Sequence, residues 1–108
     1  MDVKEKKESF GQLINGSTPV LVDFSAEWCG PCKMMKPILQ QLHQRMGNKI
    51  RIIKIDIDQS PAAANAYHVQ SVPTLILFKN GKALWRNSGV LQVSQLESVI
   101  QRLTNTHE

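Results

Sequence analysis

The sequence predicts an α/β fold in which helices cover both faces of a central mixed β-sheet of four or five strands. Its length of 108 residues suits one domain, so we expect a single domain over residues 1–108. A strand, a long helix and a second strand follow one another, which predicts parallel pairing through a right-handed crossover. Asn80-Gly81 separates two later strand-like segments and predicts an antiparallel hairpin.

The first half of the chain predicts a helix, a strand and a long helix. Phe10, Leu13 and Ile14 have helical spacing, and Asn15-Gly16 behind them favours a left-handed helix end. Residues 19–24 are almost continuously apolar, as in a strand covered on both faces. The next helix ends at Gly47 and contains Pro37, which should kink it. Its apolar stripe consists of Met35, Ile38, Leu39, Leu42 and Met46.

The second half predicts a strand, a short helix, a hairpin and a last helix. The isoleucine-rich residues 50–57 complete the βαβ unit, and a helix runs from Pro61 to Tyr67 with Ser60 as its candidate cap. Residues 74–79 and 83–87 flank the Asn80-Gly81 turn. Residues 94–97, Ser-Gln-Leu-Glu, have capping-box spacing. The apolar stripe that follows consists of Leu96, Val99, Ile100 and Leu103.

Composition excludes several classes of protein. Hydrophobic residues make up 42% and charged residues 20%, which is typical of globular proteins and excludes disordered and collagen-like chains. Six aromatic residues without a recognition motif form no stacking platform, so we expect no nucleic-acid binding. No apolar run approaches the ~20 residues of a membrane helix, and the charged start has no signal-peptide pattern. We therefore expect a cytoplasmic protein without a membrane contact.

Positive charge is concentrated in one part of the chain. The net charge is +4, and the segment between Trp28 and Ile55 carries cations but no acid. This pattern is compatible with a solvated helix face, or with a field that favours anionic partners and a thiolate. The six cations are Lys33, Lys36, Arg45, Lys49, Arg51 and Lys54.

The only two cysteines lie in Cys29-Gly30-Pro31-Cys32, between the first strand and the long helix. If Cys32 is in the first helical turn, Cys29 lies at the helix entrance, where free amides and the helix dipole stabilise a thiolate. This spacing leaves the Cα atoms near the ~5.5 Å of a disulfide. Attack on a foreign disulfide needs a nucleophilic sulfur and a second sulfur to resolve the mixed disulfide. We expect Cys29, at the exposed end, to attack and the deeper Cys32 to resolve.

A metal site or an inert disulfide is the structural alternative for this cysteine pair. Zinc would require two further ligands, and the histidines do not form a second ligand pair at finger spacing. The three histidines are His43, His68 and His107. We therefore expect no metal.

Asp23 is anomalous because a carboxylate in a strand covered on both faces is costly unless it is paired or protonated. Lys54 interrupts the isoleucine-rich strand in the same manner, so the two side chains are expected to meet. Functionally, Asp23 would accept a proton from Cys32, through water, with a pKa tuned by Lys54. The alternative is a structural ion pair.

Residues 23–33, Asp-Phe-Ser-Ala-Glu-Trp-Cys-Gly-Pro-Cys-Lys, strongly resemble the active-site segment of the thioredoxin family. The resemblance covers nearly the whole chain, since Pro37, residues 54–58, 72–74 and 78–81, and Gly89 also match the family pattern. It implies the thioredoxin fold and a monomeric thiol-disulfide oxidoreductase that reduces protein disulfides. It also implies that no cofactor is bound, and that thioredoxin reductase recharges the protein with electrons from NADPH.

The resemblance also implies roles for residues of the site. Cys29 would attack, Cys32 would resolve, and Asp23 with Lys54 would handle the proton. Pro73 would follow a cis peptide bond beside the cysteine pair, and the Val72 backbone would pair with an extended substrate segment. An apolar docking surface around Cys29 would consist of Trp28, Gly30, Pro31, Val72, Pro73 and Gly89. For Trp28, packing in the core is the alternative.

Two features depart from the family pattern. Ser25 stands where many members have a large aromatic residue, which affects the rim of the docking surface. Residues 1–8 are charged where the family usually has a first strand, so the sequence leaves open whether a fifth strand is present.

By resemblance Gly30-Pro31 favours a reductant. The alternatives are a disulfide oxidase or isomerase of the same fold, and a redox-sensing or scaffold module that binds a partner without turnover.

Overall fold

The computed structural model describes residues 9–104 and contains the predicted succession of four helices and four strands within that range. Whether residues 1–8 form a fifth strand lies outside the described residues. The elements are α1 (Phe10–Ile14), β1 (Val20–Ser25), α2 (Gly30–Met46), β2 (Arg51–Asp56), α3 (Pro61–Ala66), β3 (Thr74–Lys79), β4 (Lys82–Ser88) and α4 (Val93–Thr104). A short 3₁₀ turn, Gly47–Lys49, follows α2, and Gly47 has the positive φ of 56° that favours glycine at a helix end.

The sheet is mixed and has the strand order β2-β1-β3-β4. Strand β1 is parallel to β2 and antiparallel to β3, and β3 pairs with β4 as an antiparallel hairpin. All six residues of β1 are buried, which confirms the prediction of a strand covered on both faces. Within the described part, β2 lies at the edge of the sheet, and its Lys54 is exposed. Lys54 therefore does not interrupt a buried strand in the way that Asp23 does.

Two hydrophobic cores lie on opposite faces of the sheet, because successive β1 side chains point in opposite directions. Leu21 belongs to the core beneath α2 and α4, whereas Val22 belongs to the core beneath α1 and α3. Asp23 therefore lies on the same face as Leu21, towards α2. Buried members of the first core include Met35, Leu42, Leu75, Leu77, Leu96 and Ile100.

The hairpin turn also closes the end of α1. Asn80 and Gly81 have φ values of 54° and 81°, so both residues of the turn are left-handed as the Asn-Gly pair predicts. The Asn80 N–H donates to the Gly16 carbonyl at 2.8 Å, and the Gly81 N–H donates to the Ile14 carbonyl at 3.0 Å. The prediction of a left-handed end at Asn15 is wrong, since its φ is −97°. The hairpin satisfies the Ile14 carbonyl, while the Asn15 N–H donates to the Gln12 carbonyl at 3.3 Å.

Two predicted helix caps also differ from the structure. Ser60 occupies the position before α3, but its φ of −131° and ψ of 62° lie outside the usual cap geometry and its side chain makes no capping bond. Helix α4 begins at Val93, so Ser94 is inside the helix. The N–H of Gln92 instead donates to Gln95 Oε1 at 2.9 Å, which is the reciprocal half of a capping box placed two residues earlier.

Candidate active site around the cysteine pair

Cys29 and Cys32 form a disulfide across the first turn of α2, with their Cα atoms 5.4 Å apart. Cys29 is the residue immediately before the helix and has an extended backbone, while Gly30 and Pro31 begin the helix. The Cys32 N–H donates to Cys29 Sγ at 3.1 Å. A thiolate on Cys29 would therefore receive a hydrogen bond from a backbone amide at the positive end of the helix dipole.

The predicted difference in exposure between the two cysteines is wrong for this disulfide form. Cys29 is 4% exposed and Cys32 is 7% exposed. Cys29 is covered because it packs in a small cluster with Ala26, Ile57 and Val72. Depth along the helix therefore does not distinguish the attacking sulfur from the resolving one. The position of Cys29 at the helix entrance is the difference between the two cysteines that remains.

The loop before β3 lies against this cysteine. The Val72–Pro73 peptide bond is cis, as expected, and the Val72 carbonyl oxygen is 3.6 Å from Cys29 Sγ. Gly89, at a φ of 103° that favours glycine, donates its N–H to the Pro73 carbonyl at 2.8 Å. Within the described residues the Val72 N–H donates no hydrogen bond. The hydrogen bond from Gly89 therefore fixes the position of this loop. The Val72 N–H is a free backbone donor in the loop that contacts Cys29.

Trp28 lies at the surface rather than in the core. Its side chain is 69% exposed, and its indole Nε1–H donates to Asp58 Oδ2 at 2.8 Å. The Asp58 N–H in turn donates to Asp56 Oδ1 at 2.8 Å. Sequence reasoning gave Asp58 no role, although it lies in a segment that matches the family pattern. A contact between residues 30 positions apart leaves no local pattern to detect. Gly30 and Pro31 are also exposed beside Trp28.

Asp23 and Lys54 are brought together by strand pairing, because they are register partners on β1 and β2. Asp23 is 2% exposed, and its Oδ1 has no hydrogen-bond partner among the described residues. Burial raises the pKa of Asp23 to about 6, while the positive charge of Lys54 opposes that rise. Burial and a raised pKa make Asp23 a candidate for proton transfer, the role that the sequence suggests beside a structural ion pair.

Two cavities border Cys32. The larger, about 1000 Å³, is lined by Asp23, Cys32, Lys36 and Lys54 among others, so the carboxyl and the resolving cysteine share a space that can hold water. The smaller, about 660 Å³, is lined by Ser25 together with Cys32. Ser25 is 1% exposed, so it lies beside Cys32 and not on the exposed rim of the docking surface.

Other kinds of site find little support in residues 9–104. No group of three or more His, Cys, Asp or Glu side chains could hold a metal ion there. His43 and His68 are exposed, and His107 lies outside the described residues. None of the helices described combines the length and apolar character needed to cross a bilayer.

Comparison with known proteins gives a consistent result. The family model described as Thioredoxin matches residues 2–102. A thioredoxin-like protein of Synechocystis is 48% identical over 102 residues, which are 94% of this chain and 97% of that protein. Thioredoxin of Bacillus subtilis is 43% identical over 105 residues, or 97% and 96% of the two chains. Among solved structures, oxidised mitochondrial thioredoxin 3 of Saccharomyces cerevisiae matches with a TM-score of 0.78 and 38% identity over 87% of each chain.

Proposed function

Because the chain belongs to the thioredoxin family, we propose a specific role for each residue around its cysteine pair. The protein is a thiol-disulfide oxidoreductase that reduces protein disulfides by dithiol-disulfide exchange through Cys29 and Cys32. The observation that carries this function is the disulfide that closes across the entrance of α2. Because the two sulfurs are this close, one can attack a client disulfide and the other can then displace the client.

In the reduced protein the Cys29 thiolate attacks one sulfur of a client disulfide, and the other client sulfur leaves as a thiolate. Cys32 then attacks Cys29 Sγ, which closes the protein disulfide and expels the second client thiolate. The hydrogen bond from the Cys32 N–H to Cys29 Sγ supports this order. It stabilises the anion on Cys29 that attacks the client disulfide.

Asp23 is the proton acceptor for Cys32. The carboxyl and the cysteine line the same cavity, and a water molecule there would connect them. Because burial raises its pKa to about 6, Asp23 is a better base than an ordinary carboxylate yet still mostly ionised at neutral pH. Lys54, its strand partner, opposes the rise and so maintains that ionised fraction.

The client is held as an extended segment along the cis-proline loop. The free N–H and the carbonyl of Val72 pair with its backbone, and Pro73 keeps the loop beside Cys29. Gly89 supports the loop through its bond to Pro73. The exposed Trp28, fixed by Asp58, forms the apolar docking surface together with Gly30, Pro31, Val72 and Gly89. The expectation that Pro73 also lies on this surface is wrong, because Pro73 is buried.

Thioredoxin reductase, using NADPH, returns the disulfide to the dithiol, and the chain thereby carries electrons to client proteins. Membership of the family supports this partner and a role in redox homeostasis. We place the protein in the cytoplasm, where a reductant of this kind works and two cysteines remain reduced between cycles. We also propose that it acts as a monomer of one domain, without a membrane or nucleic-acid contact.

Reduction of insulin disulfides in the presence of dithiothreitol tests the function. The wild type should accelerate the reaction, and Cys29→Ser should abolish the acceleration because no sulfur remains at the helix entrance. Cys32→Ser should accumulate mixed disulfides with clients, since the captured client cannot be expelled.

Equilibration with glutathione separates the reductase from its alternatives. A reductase disulfide equilibrates at a low potential, whereas a strongly oxidising couple would indicate an oxidase or isomerase. A wild type that binds clients but never reduces insulin would indicate a binding module. Failure of Cys32→Ser to trap any client would contradict the roles given to the two cysteines.

A further inference from the structure

The smaller cavity beside Cys32, which we call the Ser25 recess, lies on the Cys32 side of the disulfide. Both cysteines belong to the cluster with Ala26, Ile57 and Val72, but of the two only Cys32 lines the two cavities. The recess is lined by Ser25, Cys32, Lys33, Lys36, Lys54 and Asp56 among others. Its volume of about 660 Å³ is within the range of small-molecule sites, roughly 300–1000 Å³.

Ser25 provides a second observation that points to a ligand. Its hydroxyl is buried, it lines the recess, and it has no hydrogen-bond partner among residues 9–104. Buried hydroxyls nearly always have a partner, so this hydroxyl leaves one hydrogen bond that water or a ligand in the recess can supply. The small side chain also leaves open the space that a large aromatic residue would fill.

The charges around the recess indicate which molecule fits. Lys33, Lys36 and Lys54 contribute three positive charges to its lining, against the two carboxylates of Glu27 and Asp56. One oxygen of Asp56 already accepts N–H bonds from Asp58 and Gln59, so that carboxylate is partly occupied. A small molecule with more carboxylates than amino groups complements this lining.

We propose that the Ser25 recess binds a small thiol that carries carboxylates, and that this thiol reduces the protein disulfide from the Cys32 side. This inference rests on the disulfide-exchange function and adds a second route of recharging to it. The recess gives the thiol access to Cys32 Sγ, and Cys29 is the sulfur that leaves. Cys29 is the better leaving group, because the Cys32 N–H and the helix entrance stabilise its thiolate.

The reaction consumes two small thiols. The first thiolate attacks Cys32 Sγ, so that a mixed disulfide forms on Cys32, the bond between the two cysteines breaks and Cys29 leaves as a thiolate. A second small thiolate then attacks the sulfur of the bound thiol, which breaks the bond to Cys32 Sγ. Cys32 leaves as a thiolate, and the two small thiols depart as their disulfide. Cys32 and Cys29 take up the two protons that the small thiols gave up on ionisation. Two thiols are oxidised to one disulfide, and the protein disulfide is reduced to a dithiol.

The test compares the rates at which two probes reduce the oxidised protein: reduced glutathione, which carries two carboxylates, and cysteamine, which carries none. Lys33→Gln/Lys36→Gln should slow reduction by glutathione about fivefold, as expected when two exposed charge contacts are lost, and leave cysteamine within about twofold. The matched control is Lys79→Gln/Lys82→Gln, which makes the same change of charge at the hairpin end of β3, opposite the cis-proline end. This control should leave both rates unchanged.

A second variant tests the shape of the recess. Ser25→Phe should fill the space and slow reduction by glutathione about tenfold. In Cys29→Ser protein the only thiol is Cys32, which can attack oxidised glutathione and form a mixed disulfide with it. Ser25→Phe should slow this reaction about tenfold as well. The proposal is overturned if the lysine variant slows both thiols equally or slows neither, or if filling the recess leaves glutathione addition unchanged.

Single-turnover reduction of insulin by the pre-reduced protein keeps this result separate from the underlying function. Recharging plays no part in that experiment, so the rate of the wild type reports on disulfide exchange alone. A wild type that fails to reduce insulin would refute disulfide exchange itself. Normal insulin reduction, combined with equal effects of the lysine variant on glutathione and cysteamine, would refute only the proposed thiol site in the recess.

Discussion

At the residue scale, the site depends on two buried side chains that lie two positions apart on one face of β1. Asp23 Oδ1 and Ser25 Oγ both lack a hydrogen-bond partner among the described residues. An unsatisfied buried polar group costs about 1–3 kcal/mol, so such groups are rare where they serve no purpose. Both side chains lie beside Cys32, one at each cavity, which is where water or a ligand can supply the missing partner.

Asp23→Asn should stabilise the oxidised protein at pH 8. The pKa of Asp23 is raised from 3.8 to about 6, so above pH 6 the folded protein carries a buried charge that the unfolded chain solvates better. The neutral amide removes this cost, and the free energy of unfolding should rise by about 3 kcal/mol at pH 8. The gain should shrink as the pH falls from 6 towards 4, since the carboxyl then becomes neutral in the folded state.

Urea denaturation at several pH values measures this difference. A gain that is equal at pH 4 and pH 8 would mean that packing and not ionisation causes it. Activity provides a second readout, because Asp23→Asn should lose the rise in client-release rate that the wild type shows as the pH passes through about 6.

At the element scale, short segments are completed by contacts with distant ones. Helix α1 has only five residues, and the hairpin turn between β3 and β4 closes its end through two hydrogen bonds. A helix this short is not stable by itself, so its ordering depends on the turn and on the packing of Phe10 against Phe24 and Phe78. Turn and helix therefore stabilise each other.

Gly81→Ala should destabilise this arrangement. Gly81 has a φ of 81°, and an added Cβ would lie 3.2 Å from Asn15 Oδ1. The left-handed conformation alone costs about 1–2 kcal/mol for a residue with a side chain. Gly16→Ala is the matched control, since nothing lies within 4 Å of its Cβ position and its φ is not in the left-handed range. Thermal or urea unfolding of both variants should show a loss for Gly81→Ala and no loss for Gly16→Ala.

The start of α4 permits a second test at this scale. Because Gln95 Oε1 accepts the N–H of Gln92, Gln95→Ala should lower the free energy of unfolding by about 0.5–1 kcal/mol. Ser94→Ala should change it by less than about 0.5 kcal/mol, since Ser94 is an exposed residue inside the helix. A larger effect for Ser94→Ala would indicate that Ser94 is the N-cap of α4, as the sequence pattern predicts.

At the scale of the whole molecule, the central strands β1 and β3 contribute residues to both cores and position the site. Strands β1 and β3 are buried between the two helical layers, and the cysteine pair, the cis-proline loop and the Ser25 recess all lie near the Ser25 and Thr74 ends of these strands. Helix α2 begins at the site and then packs along the sheet and against α4. The position of Cys29 therefore depends on the core beneath α2.

Leu42→Ala should destabilise the whole protein because Leu42 is fully buried in the core beneath α2 and α4. A truncated leucine at such a position costs about 2–5 kcal/mol. Gln41→Ala on the exposed face of the same helix is the control and should change the free energy of unfolding by less than about 0.5 kcal/mol. Equal effects of the two substitutions in urea denaturation would contradict the assignment of this core.

The sequence by itself determined the succession of helices and strands, the mixed sheet, the Asn80-Gly81 turn and the role of the cysteine pair. The elements and the turn depend on apolar periodicity and on residues with special backbone conformations. The role of the cysteine pair depends on its three-residue spacing together with the resemblance of residues 23–33 to the thioredoxin family. All of them are local, so they can be read along the chain.

Only the tertiary structure decided which distant groups meet. It buries Cys29 against Val72, joins Trp28 to Asp58, places Lys54 at an exposed edge opposite Asp23, and moves Ser25 from the expected rim to a recess beside Cys32. The start of α4 was misplaced within a local pattern, because Gln95 accepts the N–H of Gln92 three residues away. The helix end at Asn15 was predicted wrongly because the distant hairpin turn contacts it. Such contacts depend on how strands pair and helices pack across the fold, and no local pattern specifies that packing.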